Sequence, residues 1–435
     1  MMADPNSAGS GPVAWRHESV PAPQMTPNDE SIFFGFHDIS PWSPNGELLL
    51  GLRLPPTAQS VADTTQPASI CSWDPDTGEV VNIADTTCWN FQQAARMQWV
   101  PGHTGIAAFN TIGSSGGCVA GLVDMDMNER KVADGGLYAI SPDGTWGISP
   151  DFGTLAARWP AYGYASLLQK PLSDDAGETG LWRNDLASGQ RRLFLSLAKV
   201  LDEWDEASTG AGHFLTHPSI SPDGTKVVFL HRFFADDEGS FTRMLVCDAD
   251  GTNLISLAEE KVSHFDWLDN QTLLIWARFA GSGLAKMRSS GALNSSLIRP
   301  VVNLARRFTG RWKKRVLSES YFALKIDGSG NKTKFGWPAL DCDGHPMVAR
   351  RHDWIVTDTY PDAQGELALI LWNRQTRQRV DVARIRDGVM SRDSDAKCDL
   401  HPRWNRDETK IAVDFCENGL RRMAVFDVSA IVAPT

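Results

Sequence analysis

The sequence predicts an all-β fold, a seven-bladed β-propeller built from four-stranded blades. The turn tetrad Ser-Pro-Asp-Gly, or a degenerate copy of it, recurs along the chain. Short segments of alternating apolar residues flank each copy, as is typical of strands. Repeats of this length with four strands each indicate propeller blades. In four successive copies a histidine also stands four residues before the turn.

The clearest repeat is HPSISPDGTKVVFLHRFF followed by FTRMLVCDADGTNLISL. It predicts a short strand, a Pro-Asp-Gly turn, a second strand, a loop, and third and fourth strands. The fifth and sixth copies are degenerate. The seven copies begin at Ile39, Arg96, Leu137, His217, His264, His345 and His401.

The last copy ends after its third strand, near Val428, so its blade lacks an outer strand. We expect an N-terminal segment, either Pro12–Arg16 or Ser31–Phe36, to supply that strand and close the propeller, which would protect its open edges. The predicted organisation is a flexible N-terminal tail over residues 1–30 and a propeller over residues 31–430.

Composition narrows the class of protein. The chain has 435 residues, of which 42% are hydrophobic, and no apolar run is long enough to span a bilayer. The N-terminus lacks the basic start and apolar stretch of a secretory signal. Seven scattered cysteines are typical of a reduced chain, so we expect a cytoplasmic location. A net charge of −11 argues against a nucleic-acid partner.

One segment departs from the acidic trend. Residues 281–318 contain nine basic residues and no acidic ones, and they are interpreted as a basic insertion in the long fifth repeat. The segment can be a solvated helix packed on the rim, a lid that contacts an anionic substrate, or a surface that contacts an anionic membrane.

The phase of the histidines predicts a cluster. Equivalent positions in successive blades point to one axis, so the four histidines are expected at one mouth of the central channel. The alternative is a structural His-Pro pair that caps each strand. The residue fourteen positions later should lie at the open end of the second strand, which places His217 beside His231 and His264 beside Arg278. Three further arginines are expected nearby: Arg53, Arg232 and Arg403.

Two neighbouring blades share the pattern Cys-Asp-x-His, at Cys342 and Cys398. Two Cys-x-x-His pairs could form a zinc site. Alternation along an extended strand, however, aims residues three apart at opposite faces. The cysteines are therefore interpreted as small buried residues, and Asp343 and Asp399 as groups that orient the neighbouring histidines.

Several of these motifs together resemble a known family. They are His217-Pro218 with Ser221-Pro222-Asp223-Gly224, Phe229-Leu230-His231-Arg232, Ser263-His264, Gly344-His345 with Thr357-Asp358-Thr359-Tyr360-Pro361, and Asp399-Leu400-His401-Pro402-Arg403-Trp404. The series is similar to propeller proteins related to oligogalacturonate lyases, and more distantly to propeller ulvan lyases. The resemblance covers residues 31–430, and the histidine series is its specific part.

The resemblance implies a metal and a set of site residues. Oligogalacturonate lyases hold a divalent metal, typically manganese, with three histidines and a glutamine. By blade position this implies His264, His345 and His401 as ligands of manganese or zinc; an equivalent glutamine is not evident. In ulvan lyases two histidines, a tyrosine and an arginine carry out the reaction. His213 or His217, together with His231 and Arg278, resembles part of this set.

The predicted function is therefore cleavage of a uronate-containing oligosaccharide by β-elimination at a His/Arg site. Elimination needs a cation to neutralise the carboxylate, a base near neutral pKa and a proton donor. His231 or His217 is the expected base, and Arg278 acts on the carboxylate. The alternative is a non-catalytic propeller that binds a glycan or a protein partner. The expected substrate-binding residues are Arg53, Arg232, His213, Asp358, Tyr360 and Arg403.

Overall fold

The computed structural model describes residues 11–127, 129–169, 172–173, 175–204, 212–234, 240–259, 261–279, 319–388 and 394–433. The strands in chain order are β1 Val13–Arg16, β2 Gln24–Met25, β3 Ile32–Phe33, β4 Leu49–Arg53, β5 Ala68–Trp73, β6 Val80–Thr86, β7 Gln98–Trp99, β8 Ile106–Ile112, β9 Cys118–Asp124, β10 Glu129–Ala133, β11 Ala139–Ile140, β12 Trp146–Pro150, β13 Gly180–Asp185, β14 Arg191–Ser196, β15 Phe214–Ile220, β16 Lys226–Phe234, β17 Ser240–Asp248, β18 Ile255–Ala258, β19 Lys261–Asp269, β20 Thr272–Arg278, β21 Ser320–Lys325, β22 Lys332–Lys334, β23 Met347–Val348, β24 Trp354–Asp358, β25 Glu366–Asn373, β26 Arg379–Arg386, β27 Arg403–Trp404, β28 Lys410–Glu417 and β29 Leu420–Asp427. The helices are α1 Phe152–Arg158, α2 Leu197–Asp202 and α3 Ser429–Val432, with 3₁₀ turns at Val61–Thr65, Ala165–Leu167 and Ser394–Ala396. No helix in these ranges is both long enough and apolar enough to cross a membrane.

The predicted fold class, a seven-bladed β-propeller, is confirmed. Seven antiparallel sheets follow one another along the chain. Blades 1 to 5 are β3–β6, β7–β10, β11–β14, β15–β18 and β19–β22; blade 6 is β23–β26 and blade 7 is β27–β29 with β2. The basic insertion predicted at 281–318 lies outside the described residues.

Closure by an N-terminal strand is also confirmed, but by a segment that the sequence did not indicate. Gln24–Met25 pairs with Ala424 and Val425 and forms the outer strand of blade 7. Val13–Arg16 instead pairs with β26 as a fifth strand of blade 6, and Ser31–Phe36 contains the inner strand of blade 1. The pairings of Val13–Arg16 and Gln24–Met25 draw residues of the predicted tail into sheets, because these strands cover sheet edges that would otherwise stay open.

The chain forms two compact units. The first comprises residues 1–175, 181–194 and 344–435, and holds blades 1, 2, 6 and 7 with most of blade 3. In it, blade 1 packs on blades 2 and 7 through a core that includes Trp42, Trp73 and Met423. The second unit comprises residues 176–180 and 195–343 and holds blades 4 and 5. Its core includes Leu230, Trp267 and Ile275.

The tetrads form the same turn wherever they occur. The Ser221 hydroxyl donates to Asp223, and Gly224 N donates to the Ser221 carbonyl. Gly46, Gly144 and Gly224 all have a φ between 70° and 78°, the left-handed region that favours glycine. In blade 7 Glu408 stands at this place with a φ of 62°. Its carboxylate accepts hydrogen bonds from the backbone N–H groups of Arg350 and Arg351 and so helps to hold blade 6.

Substituting the turn glycines should separate backbone strain from crowding. A Cβ on Gly144 would lie 2.0 Å from the Pro101 carbonyl oxygen, whereas a Cβ on Gly46 would meet nothing within 4 Å. Gly46→Ala should cost about 1–2 kcal/mol because of its positive φ alone. Gly144→Ala should cost clearly more, since blade 2 must also move. Thermal unfolding of both variants measures the difference, and equal losses would contradict this account.

Candidate functional site

Three histidines of the first unit lie together where blades 1, 6 and 7 meet. His37 follows β3, and His345 and His401 each precede the inner strand of their blade. The ring centroids of His345 and His401 are 4.3 Å apart, and the His37 ring lies 5.4 Å from His345 and 6.2 Å from His401. All three side chains are buried.

The Asp358 carboxylate orients His345 and ties it to blade 7. Its two oxygens lie 2.9 and 3.0 Å from His345 Nδ1, and they also accept from the backbone N–H groups of His345 and His401. Since a carboxylate only accepts, His345 Nδ1 carries the proton and Nε2 presents its lone pair. Gly344 permits the close approach, because a Cβ there would lie 2.0 Å from the Asp358 carbonyl oxygen.

His37 is oriented in the same way, by a carbonyl. Its Nδ1 lies 2.9 Å from the Pro346 oxygen, so Nδ1–H donates and Nε2 is the basic nitrogen. Phe36 packs edge-on to His401, with ring centroids 5.2 Å apart. His37 is out of phase with the aligned histidines and was therefore not predicted: it stands six residues before Ser43 in its tetrad, whereas they stand four before theirs.

The cluster has a donor set that suits a divalent metal. The ligand atoms of His345, His401 and Asp399 all lie within 4.8 Å of one another. Ligands about 2.0–2.2 Å from one tetrahedral ion are separated by about 3.4 Å, so the three side chains would draw together by up to about 1.5 Å to share an ion. Two imidazole nitrogens and a carboxylate oxygen are ligands that zinc and manganese accept. The residues therefore fit the metal that the resemblance implies.

The exposed side of the cluster carries a cation and an aromatic ring. Lys397 Nζ is 2.9 Å from Asp399 Oδ2 and 4.5 Å from the centre of the Tyr360 ring. Tyr360 packs edge-on to His345 at 5.8 Å and is 36% exposed. Burial, and then the charge of Asp399, raise the pKa of the neighbouring Asp387. A ligand reaching the histidines would thus pass an ammonium group and an accessible ring.

A buried ion pair supports the segment that carries His37. Arg403 is fully buried, and its Nη2 lies 3.1 Å from Asp414 Oδ2. Asp414 also accepts from the N–H groups of Phe34 and Gly35. Burial raises the pKa of Asp414, against the opposing effect of the Arg403 charge. The predicted contact of Arg403 with substrate stays a prediction.

Among the other expected site residues of the first unit, Asp358 and Tyr360 join the histidines and Arg53 pairs elsewhere. Arg53 ends β4, where its guanidinium lies 2.9 Å from Glu30 and donates to Asn82. Its role in substrate binding also stays a prediction.

The remaining expected site residues belong to the second unit. In the strand register Leu215 is opposite His231 and Lys261 is opposite Arg278, so His217 and His264 lie two and three residues further along their strands. The predicted closeness of His217 to His231 and of His264 to Arg278 stays a prediction. Bulges between Thr216 and Ser219 and between Val262 and Phe265 shift both pairings.

Each of these side chains has a local partner. His264 Nδ1 lies 3.0 Å from Asp343, whereas His345, the neighbour that Asp343 was expected to orient, is held by Asp358. Arg278 and Lys261 both pair with Glu319, and they hold the pKa of Glu319 below its ordinary value although burial opposes them. His217 Nδ1 lies 2.9 Å from Thr216 Oγ1, and Arg232 is part of β16. The site roles predicted for His217, Arg232, His264 and Arg278 stay predictions.

His213 and His231 form a pair inside an aromatic cluster. Nδ1 of His213 lies 3.0 Å from Nε2 of His231, and the rings stack at 5.2 Å beside Trp204 and Phe233. Burial lowers the pKa of His231 to about 3, helped by the charges of His213 and Arg243. A base this weak is poorly matched to proton abstraction near neutral pH. Of the two expected bases, this favours His217 over His231.

Known proteins were compared with the chain at the level of sequence and of structure. No protein-family model and no curated protein sequence matches it. Among solved structures, an oligogalacturonate lyase in complex with manganese is similar, with a TM-score of 0.60 and 17% identity over 95% of each chain. An oligogalacturonate lyase from Vibrio parahaemolyticus has a TM-score of 0.56 and 14% identity over 93% of this chain and 92% of its own. The relation suspected from the histidine series is thus confirmed as a likeness of fold.

The His231 imidazole should make stability depend on pH. Because its folded pKa lies near 3, the native state stays neutral while the unfolded chain takes up a proton below about pH 6.5. Stability should therefore fall as the pH drops, by about 2 kcal/mol between pH 6.5 and 5. His231→Gln should remove most of this slope in thermal unfolding. The exposed His103, changed to Gln, is the control, and identical slopes in all three proteins would contradict the assignment.

Proposed function

We propose that the chain is a metal-assisted lyase that cleaves uronate-containing oligosaccharides by β-elimination. The observation that carries the proposal is the pair of oriented imidazoles. Asp358 orients His345 and the Pro346 carbonyl orients His37, and the two rings lie 5.4 Å apart in a buried cluster in which the ligand atoms of His345, His401 and Asp399 come within 4.8 Å of one another. The likeness of fold to oligogalacturonate lyases, one of them a manganese complex, supports the same reading.

His345, His401 and Asp399 would hold the ion. A bound divalent metal supplies a Lewis acid that neutralises the uronate carboxylate and so acidifies the proton on the adjacent carbon. Asp358 fixes the tautomer of His345 and keeps its Nε2 available as a ligand. The role of His264 as a metal ligand, which the resemblance implied, stays a prediction.

The proton transfers fall to imidazole. In the elimination a base takes the proton beside the carboxylate, the carbon–oxygen bond to the leaving sugar breaks, a double bond forms, and the leaving oxygen gains a proton. His37 Nε2 is the candidate base from the structure, and His217 remains the candidate from the sequence. Lys397 and Tyr360 line the accessible side and suit an anionic sugar, since an ammonium pairs with a carboxylate and a ring packs against a sugar face.

The second coordination sphere gives a direct test of the metal site. Asp358→Asn keeps the size of the side chain but removes the carboxylate that orients His345. Affinity for Mn²⁺ or Zn²⁺, measured by calorimetry on protein freed of metal by chelation, should fall about ten- to a hundredfold. Asp353→Asn, just before the other end of β24, is the matched control and should bind as the wild type does. Equal affinities in all three proteins would remove Asp358 from the site.

Activity is tested by the ultraviolet absorbance of the unsaturated uronate product, over a panel of uronate oligomers with and without added metal. His345→Ala should abolish the metal-dependent signal, and His37→Gln should lower kcat by about 10²–10⁴-fold while leaving metal affinity close to that of the wild type. His217→Gln runs alongside, and His103→Gln is the control. A flat trace on every substrate together with measurable glycan binding would reject the lyase in favour of a non-catalytic binding propeller.

A further inference from the structure

A cavity opens between blades 2 and 3 of the first unit, and none of its lining residues belongs to the histidine cluster. It has a volume of about 360 Å³, in the range of small-molecule sites. The β8–β9 loop, the segment after β10 and the start of α1 form its walls, and Arg191 at the start of β14 completes them.

Two consecutive glycines keep this space open. A Cβ on Gly135, which has a φ of 76°, would lie 2.6 Å from Arg191 Cδ. A Cβ on Gly136 would lie 2.6 Å from Cys118 Sγ and 2.8 Å from the Phe152 ring. Any larger residue at either position would displace Arg191 or fill the cavity, so the local sequence preserves both the room and the position of the guanidinium.

Arg191 points to an anionic ligand. Its Cζ lies 3.8 Å above the centre of the Trp182 ring, which fixes the plane of the guanidinium. Within the ranges that the structure describes, the Arg191 guanidinium makes no hydrogen bond and no ion pair. Arg191 is exposed at the edge of the cavity. A guanidinium that is held in one plane and has no protein partner can bind a carboxylate through two parallel hydrogen bonds.

The rest of the wall requires hydrogen-bond donors on the same ligand. Asp134 and Asp151 both line the cavity. Asp151 Oδ1 accepts from Thr154 N at the start of α1, which leaves Oδ2 to face a ligand. Carboxylates accept from hydroxyl groups, and the Phe152 ring gives an apolar surface for the C–H face of a sugar.

We propose that this cavity binds a hydroxylated carboxylate the size of one sugar ring, that is, a free uronic acid. Arg191 would pair with the carboxylate, and Asp134 and Asp151 would accept from ring hydroxyls. The site is separate from the histidine cluster, so the proposal stands whether or not the chain is a lyase.

The test is calorimetry with galacturonate and glucuronate, against galactose, which lacks the carboxylate. The full chain carrying His345→Ala and His401→Ala is used, so that binding at the metal centre does not contribute. One galacturonate or glucuronate should bind per chain, and galactose should not. Arg191→Gln should weaken binding about ten- to a hundredfold. Arg192→Gln, at the next residue on the same strand, which does not line the cavity, should bind as the parent does.

Arg191→Lys guards against a loss of fold, because it keeps the charge but not the paired hydrogen bonds; it should bind more weakly than the parent and more tightly than Arg191→Gln. Circular dichroism checks that all variants are folded. The proposal is overturned if neither uronate binds the parent, if Arg191→Gln binds equally well, or if galactose binds as tightly.

Discussion

The buried carboxylate of Asp358 is the contact on which the histidine cluster depends. One side chain accepts from the backbone of blade 6, from the His345 ring and from the backbone of blade 7. Each of these hydrogen bonds fixes its donor in place. The His345 tautomer, the position of His401 and the junction of the two blades therefore share a single cause.

The other half of the cluster depends on a second anion with an analogous role. Asp414 holds the N–H groups of Phe34 and Gly35, and Arg403 balances its charge in the same buried space. His37 lies two residues beyond Gly35, so the position of its imidazole follows from this pairing. The site is thus assembled from backbone held by buried carboxylates, one from blade 6 and one from blade 7, and the imidazoles are presented by that frame.

The sequence predicted the fold well because the turns and strand alternation are local signals that each blade repeats. It predicted His345 and His401 as neighbours for the same reason. It did not anticipate the places where one or two residues are inserted between signal and site. The bulges after Thr216 and Val262 shift the register by residues that no turn motif marks, and His37 lies out of phase with its tetrad. The closing strand Gln24–Met25 carries no pattern of its own, since only its partner β29 makes it a strand.

The construction of the first unit from both ends of the chain has a consequence for biosynthesis. Gln24 pairs with Val425, and Phe34 N–H bonds to Asp414, so these contacts wait for nearly the whole chain. Translation at about 5–20 residues per second leaves β1 and β2 without their partner strands for tens of seconds. Blades 4 and 5 are continuous in sequence and can form during that interval. Chaperone binding, or aggregation through exposed strands, is therefore most expected while the N-terminal half has been synthesised and its C-terminal partner strands have not.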